Sequence, residues 1–134
     1  MLQTPTNGYW WLQVEGQFLG YWPSTLFTND LHVPFTFTDV TWGGEIYDSR
    51  KTGRHTTTRM GSGHFPSEGF GKSSYFRNIQ VMNDTRQFFK PDMKDLVPYA
   101  THSLCYDVSL ANDNKVSYGT HFYFGGPGLS EKCP

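Results

Sequence analysis

Four glutamates (Glu15, Glu45, Glu68 and Glu131), five histidines and two cysteines are the side chains in this sequence best suited to proton transfer, metal ligation or covalent chemistry. The histidines are His32, His55, His64, His102 and His121, and no two of them stand at i, i+2 or i+4. A local metal-binding pair is therefore absent, and hydrogen-bonded or surface imidazoles are the expected reading. Cys105 and Cys133 lie outside any zinc-type spacing. They are either two free thiols or one disulfide tying the C-terminus to the strand around Cys105, and the disulfide is favoured. No metal and no cofactor are expected. Gly69-Phe70-Gly71-Lys72-Ser73 mimics the end of a phosphate loop, but Pro66 stands where that pattern needs glycine. Gly61-Ser62-Gly63 has the wrong glycine spacing for a nucleophile elbow.

Among the carboxylates, Glu15 falls in a turn and Glu131 in a terminal loop, where a solvated charge is the default. Glu45 is set differently, in Asp39-Val40-Thr41-Trp42-Gly43-Gly44-Glu45-Ile46-Tyr47. Read as a strand, this run puts Val40, Trp42, Gly44 and Ile46 on one face, the expected core face. Thr41, Gly43, Glu45 and Tyr47 then share the other. Gly43 leaves room for another backbone to approach the carboxylate. Aromatic neighbours would also tend to raise a glutamate's pKa by desolvation. The plain alternative is a solvent-facing glutamate on a strand.

The elements that must hold such a group are β-type. Aromatic residues make up 17% of the chain, with 14 glycines, 8 prolines and only two alanines, Ala100 and Ala111. That balance excludes helical bundles and coiled coils. A net charge of −1 lacks the basic footprint of a nucleic-acid binder. No apolar run is long enough to span a membrane. Residues 9–14 and 17–21 read as two strands around a turn at Glu15-Gly16, and Pro23 opens a short helical turn. A strand is expected over 33–47, a polar hairpin over 50–59 and a loop at 61–66. A further strand is expected over 73–82, with a turn at Asn83-Asp84. Irregular chain over 88–98 precedes a hairpin joining 101–110 to 117–124. The expected fold is an antiparallel β-sandwich forming one domain over 1–134, an incomplete half of a larger sandwich.

Several motifs in order resemble the plant neprosin domain. They are Gly20-Tyr21-Trp22-Pro23 with Leu26-Phe27, Trp42-Gly43-Gly44-Glu45, Met60-Gly61-Ser62-Gly63-His64-Phe65-Pro66 and Lys72 to Ile79. Cys105-Tyr106-Asp107, Phe122 to Gly128 and Cys133-Pro134 complete the set, which covers nearly the whole chain. The resemblance implies a secreted glutamic peptidase of β-sandwich fold that cuts on the C-terminal side of proline, with two glutamates facing across a cleft. Glu45 matches the second of these. Trp42, Gly43, Gly44 and Tyr47 around it are expected to line the substrate. The first glutamate belongs to a region of the family domain upstream of Tyr9-Trp10-Trp11, so this chain is expected to be a C-terminal part lacking the partner and inactive alone.

Two carboxyls are needed because amide hydrolysis takes one group to remove a proton from water and another to serve the carbonyl oxygen or the leaving amine. Two facing carboxyls split their pKa values, since both ionising in one cleft is unfavourable. Glu68 and Asp107 are the nearest replacement candidates. The expected partner is a Pro-containing peptide, with no nucleic acid and no membrane; the oligomeric state stays open. An extracellular location follows from the family, although Met1-Leu2-Gln3-Thr4-Pro5 carries no signal peptide. Asn83-Asp84-Thr85 is a glycosylation sequon that points the same way. The rival reading is a non-catalytic module binding cell-wall polysaccharide or Pro-rich protein through aromatic residues such as Trp10, Trp11, Trp22 and Trp42.

Overall fold

The structure is a computed structural model that describes residues 2–3, 8–14, 16–26, 40–49, 53–83, 85, 87–111 and 116–134. The chain divides into two compact units, Met1–Asp39 and Val40–Pro134. Regular structure among the described residues is β-strand and short 3-10 turn, arranged in antiparallel sheets none of which closes into a barrel. The fold class is all-β, as the composition requires, and compatible with a sandwich-type fold. No helix among the described residues is long and apolar enough to cross a membrane.

In the first unit, strands β1 (Leu2–Gln3), β2 (Trp10–Val14) and β3 (Gln17–Trp22) form an antiparallel sheet in that order. Bulky aromatic residues favour the pleated surface, and their cross-strand contacts fix the register. Trp11 lies opposite Tyr21, with ring centroids 4.9 Å apart. Tyr9 stacks on Tyr21 at 4.8 Å, and Phe18 meets the edge of Trp11 at 5.4 Å. The register shifts between Leu12 and Gln13, a bulge that period-two reasoning does not reveal. The expected helical turn is a 3-10 turn over Ser24–Leu26, closed by the Leu26 N–H donating to the Pro23 carbonyl at 3.1 Å.

In the second unit, β4 (Ser74–Phe76), β8 (Phe122–Gly125) and β7 (Asp107–Leu110) make an antiparallel sheet in the order β4-β8-β7. Strands β5 (Val81–Met82) and β6 (Phe88–Phe89) form a separate hairpin. Phe76 stacks on Phe122 and Phe124 at 5.2 and 5.3 Å, which places one apolar face of the sheet. Its buried apolar residues include Ile79, Cys105, Tyr106, Phe122, Tyr123 and Cys133.

The structure differs from the expected elements in several places. Of the strand expected over 33–47, residues 33–39 lie outside the described residues, and 40–47 form no ladder. Two consecutive glycines weaken strand formation there, and the segment is held by face-on packing instead. The strand expected over 73–82 is cut after Phe76, where Asn78 takes a left-handed φ of 51°. The cut sends the Asn78 and Ile79 N–H groups to the carbonyls of Tyr118 and Thr120 at 2.7 and 3.1 Å. Residues 50–52 of the polar hairpin are not described, and 53–59 form no strand. The β7–β8 hairpin is shorter than expected because 101–106 is a turn, with the His102 carbonyl accepting from both Cys105 and Tyr106 N–H at 2.9 and 2.8 Å. Its own turn, at 112–114, lies outside the described residues. The stretch 88–98, expected to be irregular, contains β6 and a 3-10 turn over Met93–Asp95.

Candidate functional site

The residue before Glu45 and the residue after it are both fixed by packing. Gly44 sits so close to its neighbours that an added Cβ would lie 2.9 Å from Met60 Cγ, 3.1 Å from Met60 Sδ and 3.4 Å from a ring carbon of Phe124. Ile46, half-buried, packs against the cluster of Cys105, Tyr106 and Cys133, as does Met60. Glu45 between them is exposed. Gly43 has nothing within 4 Å of its would-be Cβ, so the chain is open at that position. Trp42 is half-buried and Tyr47 is 86% exposed. The split into a packed and an open side therefore survives in part without a strand. Trp42, Gly44 and Ile46 take the packed side, whereas Val40, expected beside them, is 48% exposed. Among the described residues Glu45 is exposed rather than enclosed by aromatic rings.

The cluster behind Ile46 is built by the C-terminal residues. Cys105 and Cys133 form a disulfide with Cα atoms 5.1 Å apart. The Tyr106 hydroxyl donates to the Thr58 carbonyl at 2.7 Å. Burial pushes the Tyr106 phenol above its ordinary value, and the Asp48 charge adds to the shift. Met60 joins the two parts, exchanging backbone hydrogen bonds with Gly126 (3.0 and 3.4 Å) while its side chain meets Gly44. The sequence reading passed over Met60 and Tyr106 as positioning residues. Both stand in motifs quoted above, Met60 to Pro66 and Cys105-Tyr106-Asp107, but the contacts that make them positioning residues reach far along the chain.

The other carboxylates are placed differently. Glu68 closes the 3-10 turn Pro66–Glu68, accepting the Phe65 N–H at 3.1 Å. His64 Nδ1 lies 3.0 Å from Glu68 Oε2, the geometry in which an Nδ1–H donates to a carboxylate, and Lys72 Nζ is 3.6 Å from the same oxygen. The His64 hydrogen bond, helped by the Phe65 N–H and the two cationic neighbours, holds the Glu68 carboxyl below the usual range against a smaller effect of partial burial. Asp107 is taken up in the ladder opposite Gly125, and Glu131 is exposed. Glu15 and His32 lie outside the described residues. Asn83 stands at the end of β5, where its Oδ1 accepts from the Thr85 hydroxyl and the Gln87 N–H, both at 2.8 Å. His55, Cys105 and Cys133 bring possible ligand atoms within 4.8 Å of one another, but the disulfide removes both thiolates.

The motifs that converge on this segment can be compared with known families. A family model, Neprosin, matches residues 1–127, nearly the full length and across both compact units. The chain belongs to the Neprosin family. Membership supports a peptidase-like function at the level of the family. Gly44, in Trp42-Gly43-Gly44-Glu45, lies against Met60 and Phe124, so a glycine at this position has a packing reason in this chain that is independent of any chemistry. The match ends before Cys133, so the disulfide is completed by a residue beyond it.

Proposed function

We propose that this chain supplies Glu45 as one of two carboxylates in a glutamic peptidase cleft that hydrolyses the bond following proline in a peptide. One observation carries the reading: an exposed carboxylate is held between Gly44, seated on Met60 and Phe124, and Ile46, seated on the disulfide cluster, with open space at Gly43. A catalytic group needs such fixed backbone on both sides and access for substrate in front. In the reaction, one carboxylate takes a proton from water as the oxygen attacks the carbonyl carbon. The other carboxyl gives a proton to the departing nitrogen, and the C–N bond breaks. Trp42, Gly43, Gly44 and Tyr47 line the approach, with Tyr47 placed in solvent to meet a substrate chain.

Of the other glutamates described, Glu68 is committed to His64, Phe65 and Lys72, which leaves it poorly suited to be the second member. The partner carboxylate is then supplied from outside this set, and the chain alone cleaves little or nothing. Secretion fits the disulfide. The test is cleavage of a proline-containing peptide at acidic pH by the oxidised chain and by Glu45→Gln. Absent or feeble cleavage by both, with cleavage rescued only in a longer polypeptide that keeps Glu45, is expected. Robust cleavage that survives Glu45→Gln would overturn the assignment. Robust cleavage lost in Glu45→Gln would instead show that this chain itself supplies both carboxylates.

A second reading, a non-catalytic binding module, draws on an aromatic surface of the second unit. Tyr75 stacks on Tyr118 at 5.5 Å, Phe70 meets its edge at 5.7 Å, and Arg77 sits 5.0 Å over the Tyr118 ring. Phe70 and Tyr75 are 52% and 39% exposed. Such rings suit sugar or proline rings. Binding of cell-wall polysaccharide that is lost in Tyr75→Ala but indifferent to Glu45→Gln would favour this alternative.

A further inference from the structure

Three side chains able to ligate a metal meet in the second unit although they are far apart in sequence. A ring nitrogen of His55 and the sulfurs of Cys105 and Cys133 all lie within 4.8 Å of one another. The two cysteines stand 28 positions apart, outside any zinc-type spacing, so the fold rather than a local motif unites them with His55. In the oxidised chain the disulfide takes up both sulfurs, and the cluster offers a cation a single donor.

The surroundings suit a cation once that bond is opened. His55 Nδ1 lies 3.2 Å from the Thr56 carbonyl, which can only accept, so Nδ1 carries the proton and Nε2 the lone pair. A metal-bound imidazole commonly has its second nitrogen tied to a carbonyl in this way. The same ring is held edge-on to Tyr106 at 5.2 Å. Both cysteines are also held by their backbones. The Cys105 N–H donates to the His102 carbonyl at 2.9 Å, and Cys133 exchanges hydrogen bonds with Ser130 at 2.9 and 3.1 Å. Neither turn therefore depends on the sulfur bond alone, and the Cα atoms stand 5.1 Å apart. His55, Cys105 and Cys133 all line an open depression of about 600 Å³, which gives a metal ion and a reductant a way in. His102 lines it too, its ring centroid 5.7 Å from that of His55.

We propose that the reduced chain binds one thiophilic divalent cation, zinc or a close analogue, through His55, Cys105 and Cys133, with the fourth position facing the depression. Reduction breaks the S–S bond. Two molecules of a small thiol supply two electrons and two protons and leave as their own disulfide. The cation then displaces both thiol protons as two metal–sulfur bonds form. Thiolate and imidazole are the donors that zinc favours, and two thiolates balance the charge of the dication without a carboxylate. The ion closes the same loop that the disulfide closes, so Ile46 and Met60 keep the cluster on which they rest. The site stands whether or not Glu45 is catalytic.

The test is a titration of the full chain, reduced with a small thiol and then freed of it, with cobalt(II) at one fixed neutral pH. Sulfur-to-cobalt charge-transfer and tetrahedral d–d absorption should saturate at one equivalent, and zinc should displace the cobalt. The oxidised chain should show neither band. In the unsubstituted reduced chain, the His55 ring C–H signals should shift with the first equivalent of zinc, a readout that needs no variant. His55→Ala should weaken cobalt binding at least about tenfold, with the denaturant midpoint of its oxidised form reporting whether the fold is kept. Zinc should also restore part of the denaturant midpoint lost on reduction, and a chelator should remove that gain. A reduced chain without charge-transfer bands, or with bands while the His55 ring signals stay in place, would overturn the proposal. So would bands of equal strength in the oxidised chain, or zinc that leaves the reduced midpoint unchanged.

Discussion

Gly43 and Gly44 are adjacent and chemically identical, yet their surroundings assign them different work. A methyl at Gly44 would press on Met60, whose thioether is flexible enough to yield by a few tenths of an ångström. Gly44→Ala is therefore expected to cost about 1 kcal/mol, whereas Gly43→Ala, into open space, should be close to neutral. Gly126→Ala should cost more than either, up to about 3 kcal/mol, because its methyl would collide with the Cys105 carbonyl, which is backbone and cannot move aside. Denaturant midpoints of the three variants give the ranking directly. Equal costs for Gly43→Ala and Gly44→Ala would mean that Gly44 is not the anchor described. Glu45→Gln, exposed and away from any core contact, should change stability by less than about 0.5 kcal/mol, so that a change in cleavage reads chemistry and not folding.

At the scale of elements, what could be read from the sequence was whatever rests on local pattern. The aromatic run Tyr9-Trp10-Trp11 and the Gly16 turn announced β2 and β3, and Pro23 announced the turn that follows. The alternation in 40–47 picked out Trp42 and Ile46 as half-buried and Gly44 as closely packed, although no strand forms, a bend falls at Gly43 and Val40 is exposed. The face-on contact of Gly44 with Met60 and Phe124, the break at Asn78 and the bulge after Leu12 were not legible. Each depends on a residue far along the chain or on one φ angle. The turn Pro66–Glu68 shows the intermediate case. The spacing of His64 and Glu68 permits an i,i+4 pair, but only the fold shows that Phe65 N–H joins it. Because the folded-state pKa of Glu68 is depressed, its contribution to stability is present above the ordinary glutamate pKa and is lost as the pH falls through the folded value. In a carboxyl titration, Glu68 should therefore ionise at lower pH than a free glutamate, and His64→Ala should return it toward the ordinary value. A Glu68 midpoint unmoved by that substitution would remove His64 as the cause.

For the molecule as a whole, the second unit depends on its last few residues. The segment after β8 returns to lie along 55–60 and 105–106. Leu129 N–H donates to the Thr56 carbonyl at 2.8 Å, and Gly128 N–H reaches the Cys105 carbonyl at 3.4 Å. Ser130 and Cys133 exchange backbone hydrogen bonds at 2.9 and 3.1 Å, which brings Cys133 back to Cys105 across 28 positions of sequence. Closing a loop of that length restrains the unfolded chain and stabilises the fold by about 3 kcal/mol in the chain-entropy account. Ile46 and Met60 rest on the same cluster, so the bond also sets how firmly the Glu45 segment is held. Reduction, or Cys105→Ser with Cys133→Ser, should therefore lower the denaturant midpoint by an amount worth about 3 kcal/mol. It should also raise hydrogen exchange at 44–46, while β2 and β3 of the other unit keep their protection. A loss of protection spread evenly over both units would mean that the chain unfolds as one cooperative body and that the disulfide stabilises all of it. Loss confined to Val40–Pro134 would show the Glu45 segment drawing its rigidity from the C-terminal clamp.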